Sequence, residues 1–377
     1  MTIKTVKDID LKEKRVLVRV DFNVTLRPGA RIVDDFRLEQ SLSTLSYLLE
    51  QRCLVLLLSH LGRPEGRRVQ VYSLRPLAKR LEQMIRRKVN FFDQDYTQES
   101  ARIELAKYGP GEIVLLENVR FYPGEEDNDQ QLAKKLSLLA DVFINDAFGV
   151  SHRKHASIVG IPQFLPSVAG LLLAKEVDFI GRVISEPEKP MLAIIGGAKL
   201  EDKLPIIGKL IDRVDYCLVG GKIAMAFLKV KGEKVGRVFV DEETEKLIKE
   251  LFFQAAVSNT ALMLPVDVVR GDGQGLDIGP KTRKMFSGII KKAKTIIWVG
   301  PMGFYEQKRF AKGTEAIYRV ICQNRGSLSI IGGGDTIAAL KNKKYLQTID
   351  HISTGGGAML QFIETGTLPG IEALKGK

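Results

Sequence analysis

The chain has 377 residues, 45% of them hydrophobic and 27% charged, with a formal net charge of +12 at pH 7. That length predicts two domains with sizeable cores, while no apolar run is long enough to span a bilayer and the opening MTIKTVKDIDLKEK lacks the apolar centre of a signal peptide. The expectation is a cytoplasmic protein with no membrane partner. The basic clusters GRR (66–68), RRK (86–88) and KKAK (291–294) are scattered and lack interleaved aromatics, which argues against nucleic acid and leaves small anionic substrates as a use for the charge. Cys53, Cys217 and Cys322 lie in or beside apolar runs at no disulfide or metal spacing, as reduced core residues would.

Apolar, β-rich runs alternate with longer helical patterns along the chain, the rhythm of parallel βαβ units. Strands are expected at RVLVRVDF, CLVLLLSH, KVNFF, EIVLLENV and DVFIND in the first half. A helix over residues 171–183 and the proline-bearing ISEPEKP (184–190) follow. MLAIIGG, DYCLVGG, LMLPVDV, TIIWVG and LSIIGGG supply strands in the second half. Several of these lack polar alternation, so both faces are covered. The predicted fold is α/β: two doubly wound (Rossmann-like) parallel-sheet domains joined by a helix and hinge. The boundaries are 1–170, a connecting helix and linker 171–188, and 189–360, with residues from about 360 to 377 packing back on the first domain.

The halves differ at their strand ends, where open α/β sheets bind ligands. Of 35 glycines, 10 fall at or before residue 181 and 25 after it, whereas three of the four histidines lie in the first half. The first half therefore suits a compact anion and the second suits backbone contact with phosphates. In SLSIIGGGDTIAAL (327–340), Ile337 breaks the G-x-G-x-x-G/A spacing of dinucleotide sites, which disfavours a nicotinamide-dependent dehydrogenase, and no Walker loop occurs. What remains is either an anion site at a helix N-terminus or a plain glycine turn. In GGAKLEDKLP, Pro205 is best tolerated in a first turn and predicts a helix start near Asp202 or Lys203. That leaves Lys199 in the preceding loop, and the two lysines read equally as phosphate ligands or as solvated charge. His152 and His155 are spaced for a metal pair, but no Cys or carboxylate cluster accompanies them, and His155 reads as structural.

Ten stretches taken together resemble the phosphoglycerate kinase family, in family order over nearly the full chain: VRVDFNV (18–24), DDFR (34–37), SHLGRPEG (59–66), LLENVRFYPGEE (115–126), INDAFGVSHRKHAS (144–157), GGAKLEDK (196–203), LDIGPKT (276–282), GPMGFYEQKRFAKGTEA (300–316), IIGGGDT (330–336) and HISTGGGA (351–358). The resemblance implies reversible transfer of the acyl phosphate of 1,3-bisphosphoglycerate to ADP, with Mg2+ as the metal–nucleotide complex, by a monomer that closes about a hinge. It assigns Asp21, Phe22, Asn23, Arg37, His60, Leu61, Gly62, Arg63, Arg120 and Arg153 to 3-phosphoglycerate. As catalytic residues it implies Arg37, Lys199, Lys203, Gly334 and Gly356, with Arg37, Lys199 and Gly356 toward the transferring phosphoryl group and Lys203 and Gly334 on the nucleotide phosphates. The nucleotide receives Gly197, Lys199, Lys203, Gly221, Gly279, Glu306, Gly333, Gly334, Asp335 and Thr336, with Asp335 on the metal and Ser353 and Thr354 among the hinge positions. Four departures from the family pattern stand out. Val299 replaces an asparagine near the nucleotide phosphates, Lys222 replaces a third glycine near the base, RGDGQG (270–275) is short, and Thr25 replaces a proline.

Overall fold

A computed structural model describes residues 3–27, 29, 31–340 and 343–375. The chain divides into two compact units, Met1–Asp178 with Thr365–Lys377, and Phe179–Glu364. In chain order the first contains β1 (Arg15–Arg19), a small hairpin of β2 (Leu26–Arg27) and β3 (Arg31–Ile32), α1 (Phe36–Glu50), β4 (Leu54–Leu58), α2 (Arg75–Ile85), β5 (Val89–Phe92), α3 (Glu99–Leu105), β6 (Ile113–Leu116), α4 (Gln130–Ser137), β7 (Val142–Asn145) and β8 (Ser167–Ala169). Helix α5 (Leu171–Ser185) then carries the chain into the second unit. There follow β9 (Met191–Ile195), α6 (Leu200–Ile211), β10 (Tyr216–Val219), α7 (Gly221–Val230), α8 (Glu242–Val257), β11 (Ala261–Met263), β12 (Val268–Gly271), β13 (Gln274–Ile278), α9 (Pro280–Ile290), β14 (Thr295–Val299), α10 (Lys312–Gln323), β15 (Leu328–Gly332), α11 (Gly334–Ala339), β16 (His351–Ser353) and α12 (Gly356–Thr365). The short α13 (Pro369–Glu372) belongs to the first unit.

Each unit is built on a six-stranded, wholly parallel sheet, in the orders β5-β6-β4-β1-β7-β8 and β11-β10-β9-β14-β15-β16. The second order is the Rossmann 3-2-1-4-5-6 arrangement, whereas in the first unit β6 inserts between β4 and β5. In both, the chain reverses direction of winding beside the first strand of the sheet, so crevices open at the carboxyl ends of β1 and β7 and of β9 and β14. The apolar runs read as two-sided strands are so: all five residues of β4, β9 and β14 are buried. Trp298 on β14 and Phe22 after β1 are fully buried in their respective cores.

Local differences from the expected elements have simple causes. LMLPVDV is not one strand: β11 ends at Met263 and β12 opens at Val268 in an antiparallel ribbon with β13, because Pro265 between them has no N–H for a ladder. RGDGQG forms the ribbon's two-residue turn, with Asp272 and Gly273 both at positive φ (48° and 76°) as a type I′ turn requires. The edge strands β8 and β16, three residues each, were too short to leave a pattern. Helix α5 runs on to Ser185, so the expected linker shrinks to residues 186–190, and the division between the units falls within that helix. Of the C-terminal segment, Gly370 N–H donates to Ser151 O at 2.8 Å within the first unit; residues 376 and 377 lie outside the described residues.

Candidate active site

In the first unit the carboxyl ends of β1 and β4 bring cationic and polar side chains together. Phe22 N–H donates to Ser59 Oγ (2.9 Å), and that hydroxyl donates to Val20 O (3.0 Å), tying the turn after β1 to the end of β4. Arg37, in the first turn of α1, pairs with Asp21 Oδ2 at 2.9 Å and donates to Asn23 O at 3.0 Å. Asn23 Oδ1 accepts from Gly62 N–H at 3.0 Å, and Arg120 Nη1 donates to Gly62 O at 2.6 Å. Gly62 has φ +64°, and a Cβ there would lie 2.3 Å from the Tyr72 ring, so the loop closes only with glycine. Leu61, buried, offers its carbonyl to Asn118 Nδ2 at 2.8 Å. Asn118 also caps the turn that carries Arg120 by accepting from Arg120 N–H at 3.0 Å. Arg120 is nearly buried and pairs with Glu126 at 3.0 Å, but its Nε has no hydrogen-bond partner in the protein, an orphan that a bound anion would satisfy. Arg63 is exposed on the same loop, while Phe22 is a core residue and contributes only its backbone.

His60 is 1% exposed. Burial, then the positive charges of Arg19, Arg120, Arg37 and Arg153, hold its pKa well below the ordinary value, so the ring is neutral. Arg19 Nη2 lies 3.3 Å from His60 Nδ1; a guanidinium can only donate, which makes Nδ1 the acceptor and puts the ring proton on Nε2. Accordingly the 3.6 Å approach of Nδ1 to Asp21 Oδ1 is not an ion pair. Burial also lowers the pKa of His155, to about 3, helped by Arg120 and Arg19, so that ring too is neutral. Arg153 joins the cluster through its charge on His60 and through Nε, 3.4 Å from His152 Nε2.

Arg19 is the residue that pattern reading passed over. It is fully buried, donates from Nε to Ser157 Oγ at 2.9 Å and also donates to Val20 O. Ser157 in turn donates to Glu125 through Oγ (2.6 Å) and N–H (3.0 Å). Burial raises the Glu125 pKa, and Arg19 opposes that rise. The available signal was the arginine at the end of β1, between the apolar VLV and Val20, where an unpaired buried charge is costly.

In the second unit a cavity of about 250 Å³ opens at the carboxyl ends of the strands, lined among others by Gly197, Gly221, Lys222, Met225, Gln274, Leu276, Phe304, Tyr305, Glu306 and Asp335. Its glycines are packed backbone to backbone. Gly221 has φ +61°, and a Cβ on it would come within 2.6 Å of Gly197 O. Helix α6 starts at Leu200, two or three residues before the start that Pro205 implied. Lys199 is therefore its N-cap and Lys203 lies one turn in, while Pro205 is accepted inside the helix at the loss of one backbone bond. Burial lowers the Lys203 pKa, opposed by Asp202 and Asp335. Gly333 (φ +97°) caps α11, putting Gly334 and the exposed Asp335 in its first turn. Thr336 is buried, accepts from Gly300 N–H at 2.7 Å and donates to Gly332 O at 2.8 Å, so its side chain braces the loop. Gly356, at the start of α12, packs against Gly333. Ser353 and Thr354 are buried at the end of β16, within the second unit.

Gly279 does not line the cavity. It caps α9 with its α-carbon against the Asp267 carboxylate, where a Cβ would meet Cγ at 2.3 Å. The ribbon brings Gln274 and Leu276 to the wall, Lys222 stands on the rim, and Val299 is buried at the end of β14 beside Gly333. Among the described residues no three His, Cys, Asp or Glu side chains group as a metal cage. One exposed carboxylate at a glycine-capped helix start, as Asp335 is, instead suits magnesium, which binds through one or two carboxylates plus substrate phosphates.

Two doubly wound units, one carrying a guanidinium cluster and the other a glycine-walled cavity with lysines at a helix start, define the class: a phosphotransferase of small phosphorylated substrates. The phosphoglycerate kinase family matches residues 6–366. A phosphoglycerate kinase of Pelotomaculum thermopropionicum is 44% identical over 396 aligned positions, covering 100% of both chains. Among solved structures, phosphoglycerate kinase from Coxiella burnetii is 34% identical with a TM-score of 0.84, covering 99% of each chain. That from Pyrococcus horikoshii is 29% identical with a TM-score of 0.86, covering 99% of this chain and 98% of its own. The chain belongs to the phosphoglycerate kinase family and catalyses the glycolytic transfer of phosphate between 1,3-bisphosphoglycerate and ADP.

Proposed function

We propose that the first unit holds 3-phosphoglycerate and the second holds the nucleotide, so that Asn23, Arg37, His60, Arg63, Arg120 and Arg153 grip the acid while the glycine loops, Lys199 and Lys203 grip the phosphates. The observation that carries this reading is the convergence of four guanidiniums on the neutral ring of His60, a site with more cation than its own carboxylates compensate. Arginine suits the part because its planar fork gives two hydrogen bonds to a carboxylate or a phosphate. Asp21 joins this group and also holds Arg37 in place through the 2.9 Å pairing at Oδ2.

The chemistry calls for no general base. Run toward the acyl phosphate, the nucleophile is a carboxylate with a pKa of about 3.5, ionised at neutral pH. Its oxygen attacks the γ-phosphorus in line, the bond to the β–γ bridging oxygen breaks, and ADP leaves with that electron pair. Repulsion between carboxylate and triphosphate is the barrier. Arg37, Lys199 and the N–H groups of Gly334 and Gly356 lower it by facing the charge on the transferring group, and Lys203 neutralises the nucleotide phosphates. Gly197 and Gly221 let the base lie against backbone, and Glu306 bonds the ribose. Asp335, together with the nucleotide phosphates, would hold magnesium, which would supply further charge neutralisation.

Because the two substrates are assigned to different units, transfer requires a closing motion, with Ser353 and Thr354 among the positions that turn. The enzyme acts as a cytoplasmic monomer. Calorimetric titration of each substrate alone tests the assignment. Arg153→Ala should weaken 3-phosphoglycerate binding tenfold or more and leave ADP within twofold, and Lys203→Ala should do the reverse. Loss of both ligands in either variant would overturn it.

A further inference from the structure

Asp277, on β13, is 1% exposed and stands behind the cavity wall, next to the lining residue Leu276. Its Oδ2 accepts from Gly313 N–H, in the first turn of α10, at 2.7 Å, and its Oδ1 accepts from Ile278 N–H at 2.9 Å. Its backbone forms a bridge with Gly303, and Phe304 N–H donates to Leu276 O at 2.8 Å. Two glycines are shaped around the carboxylate. A Cβ at Gly303 would lie 2.3 Å from Oδ1, and one at Gly313 would lie 2.1 Å from it.

The bonds continue from α10 into the opposite wall. Thr314, beside Gly313, accepts from Met302 N–H at 2.9 Å. Met302 O accepts from Gly221 N–H at 2.9 Å and Pro301 O accepts from Gly197 N–H at 2.8 Å. Asp277 thus anchors the helix start that fixes the 301–306 segment against Gly197 and Gly221.

We propose that Asp277 is a positioning residue for the nucleotide, setting the distance between the Phe304–Glu306 wall and the Gly197–Gly221 wall. This rests on the reading of the cavity as the nucleotide site. A buried carboxylate is an expensive way to satisfy two N–H groups. Burial pushes its pKa up to about 7, with Arg283 on α9 and Glu315 on α10 acting in opposite senses. Its advantage is that one side chain accepts from two donors at once, fastening a helix start to a strand. An asparagine has one acceptor oxygen, so its amide N–H₂ would face one of the two N–H groups.

The test is steady-state kinetics and ADP calorimetry on Asp277→Asn, with Leu276→Arg as a variant that fills the cavity. Should Asp277→Asn not fold, Asp277→Ser is read in the same way. The proposal predicts a fivefold or larger rise in nucleotide KM and Kd for Asp277→Asn, a 3-phosphoglycerate KM within twofold, and loss of ADP binding in Leu276→Arg. If Leu276→Arg loses ADP while Asp277→Asn keeps native nucleotide affinity, or shifts both substrates alike, the positioning role is overturned and the cavity assignment stands. If Leu276→Arg binds ADP normally, both fall.

Discussion

Gly356 and Gly333 touch: a Cβ added to Gly356 would lie 2.7 Å from the Gly333 α-carbon and 2.9 Å from its nitrogen. The loops after β15 and β16 are thereby packed together, and Gly356 cannot take a side chain without moving the Gly333 turn. Gly356→Ala should displace the N–H groups of the Gly333–Gly334 turn and lower kcat tenfold or more, at a stability cost of about 1–3 kcal/mol. Kinetics paired with thermal unfolding checks this; an unchanged kcat would mean that the loop contact is dispensable.

The buried histidines make stability depend on pH in a stated direction. His60 and His155 are held below the unfolded value of about 6.5, so the folded state takes up protons less readily than the unfolded one. Their contribution is complete above pH of about 6.5 and is lost as the pH falls toward the folded values, about 3 for His155. Denaturant midpoints should therefore fall between pH 6.5 and 5, and His155→Gln should make that fall shallower. A midpoint flat across this range in the native protein would contradict the burial argument.

Closure is read most simply in solution. Small-angle scattering should show a smaller radius of gyration with 3-phosphoglycerate and the magnesium–nucleotide together than with either alone. Identical profiles would remove the hinge from the account.

The sheets were legible because buried parallel strands read as unbroken apolar runs, as LVLLL and TIIWV do. Edge strands of three residues left no such trace, and the break in LMLPVDV was written in Pro265 but masked by the apolar residues around it. Asp272–Gly273 is a hairpin signal at the dipeptide level, obscured because the flanking VVRG and QGLDI are short and interrupted by glycine and charge. Site residues at strand ends followed from motif order. Arg19, Glu125 and Ser157 did not, because their partnership spans a sequence separation of 138 residues and becomes visible only in three dimensions. Gly279, which its motif places with the nucleotide, caps α9 against Asp267, a packing role that the motif does not reveal.

The central claim is that this chain speeds phosphoryl transfer by aligned cations and N–H groups, with Arg37 facing the transferring group. The most direct measurement is coupled phosphotransfer from ATP to 3-phosphoglycerate with magnesium, on the native protein and on Arg37→Ala. The account predicts turnover by the native protein and a loss of about a hundredfold or more in the variant, the scale of removing one preorganised charge donor. Turnover by Arg37→Ala within a few-fold of native would contradict it.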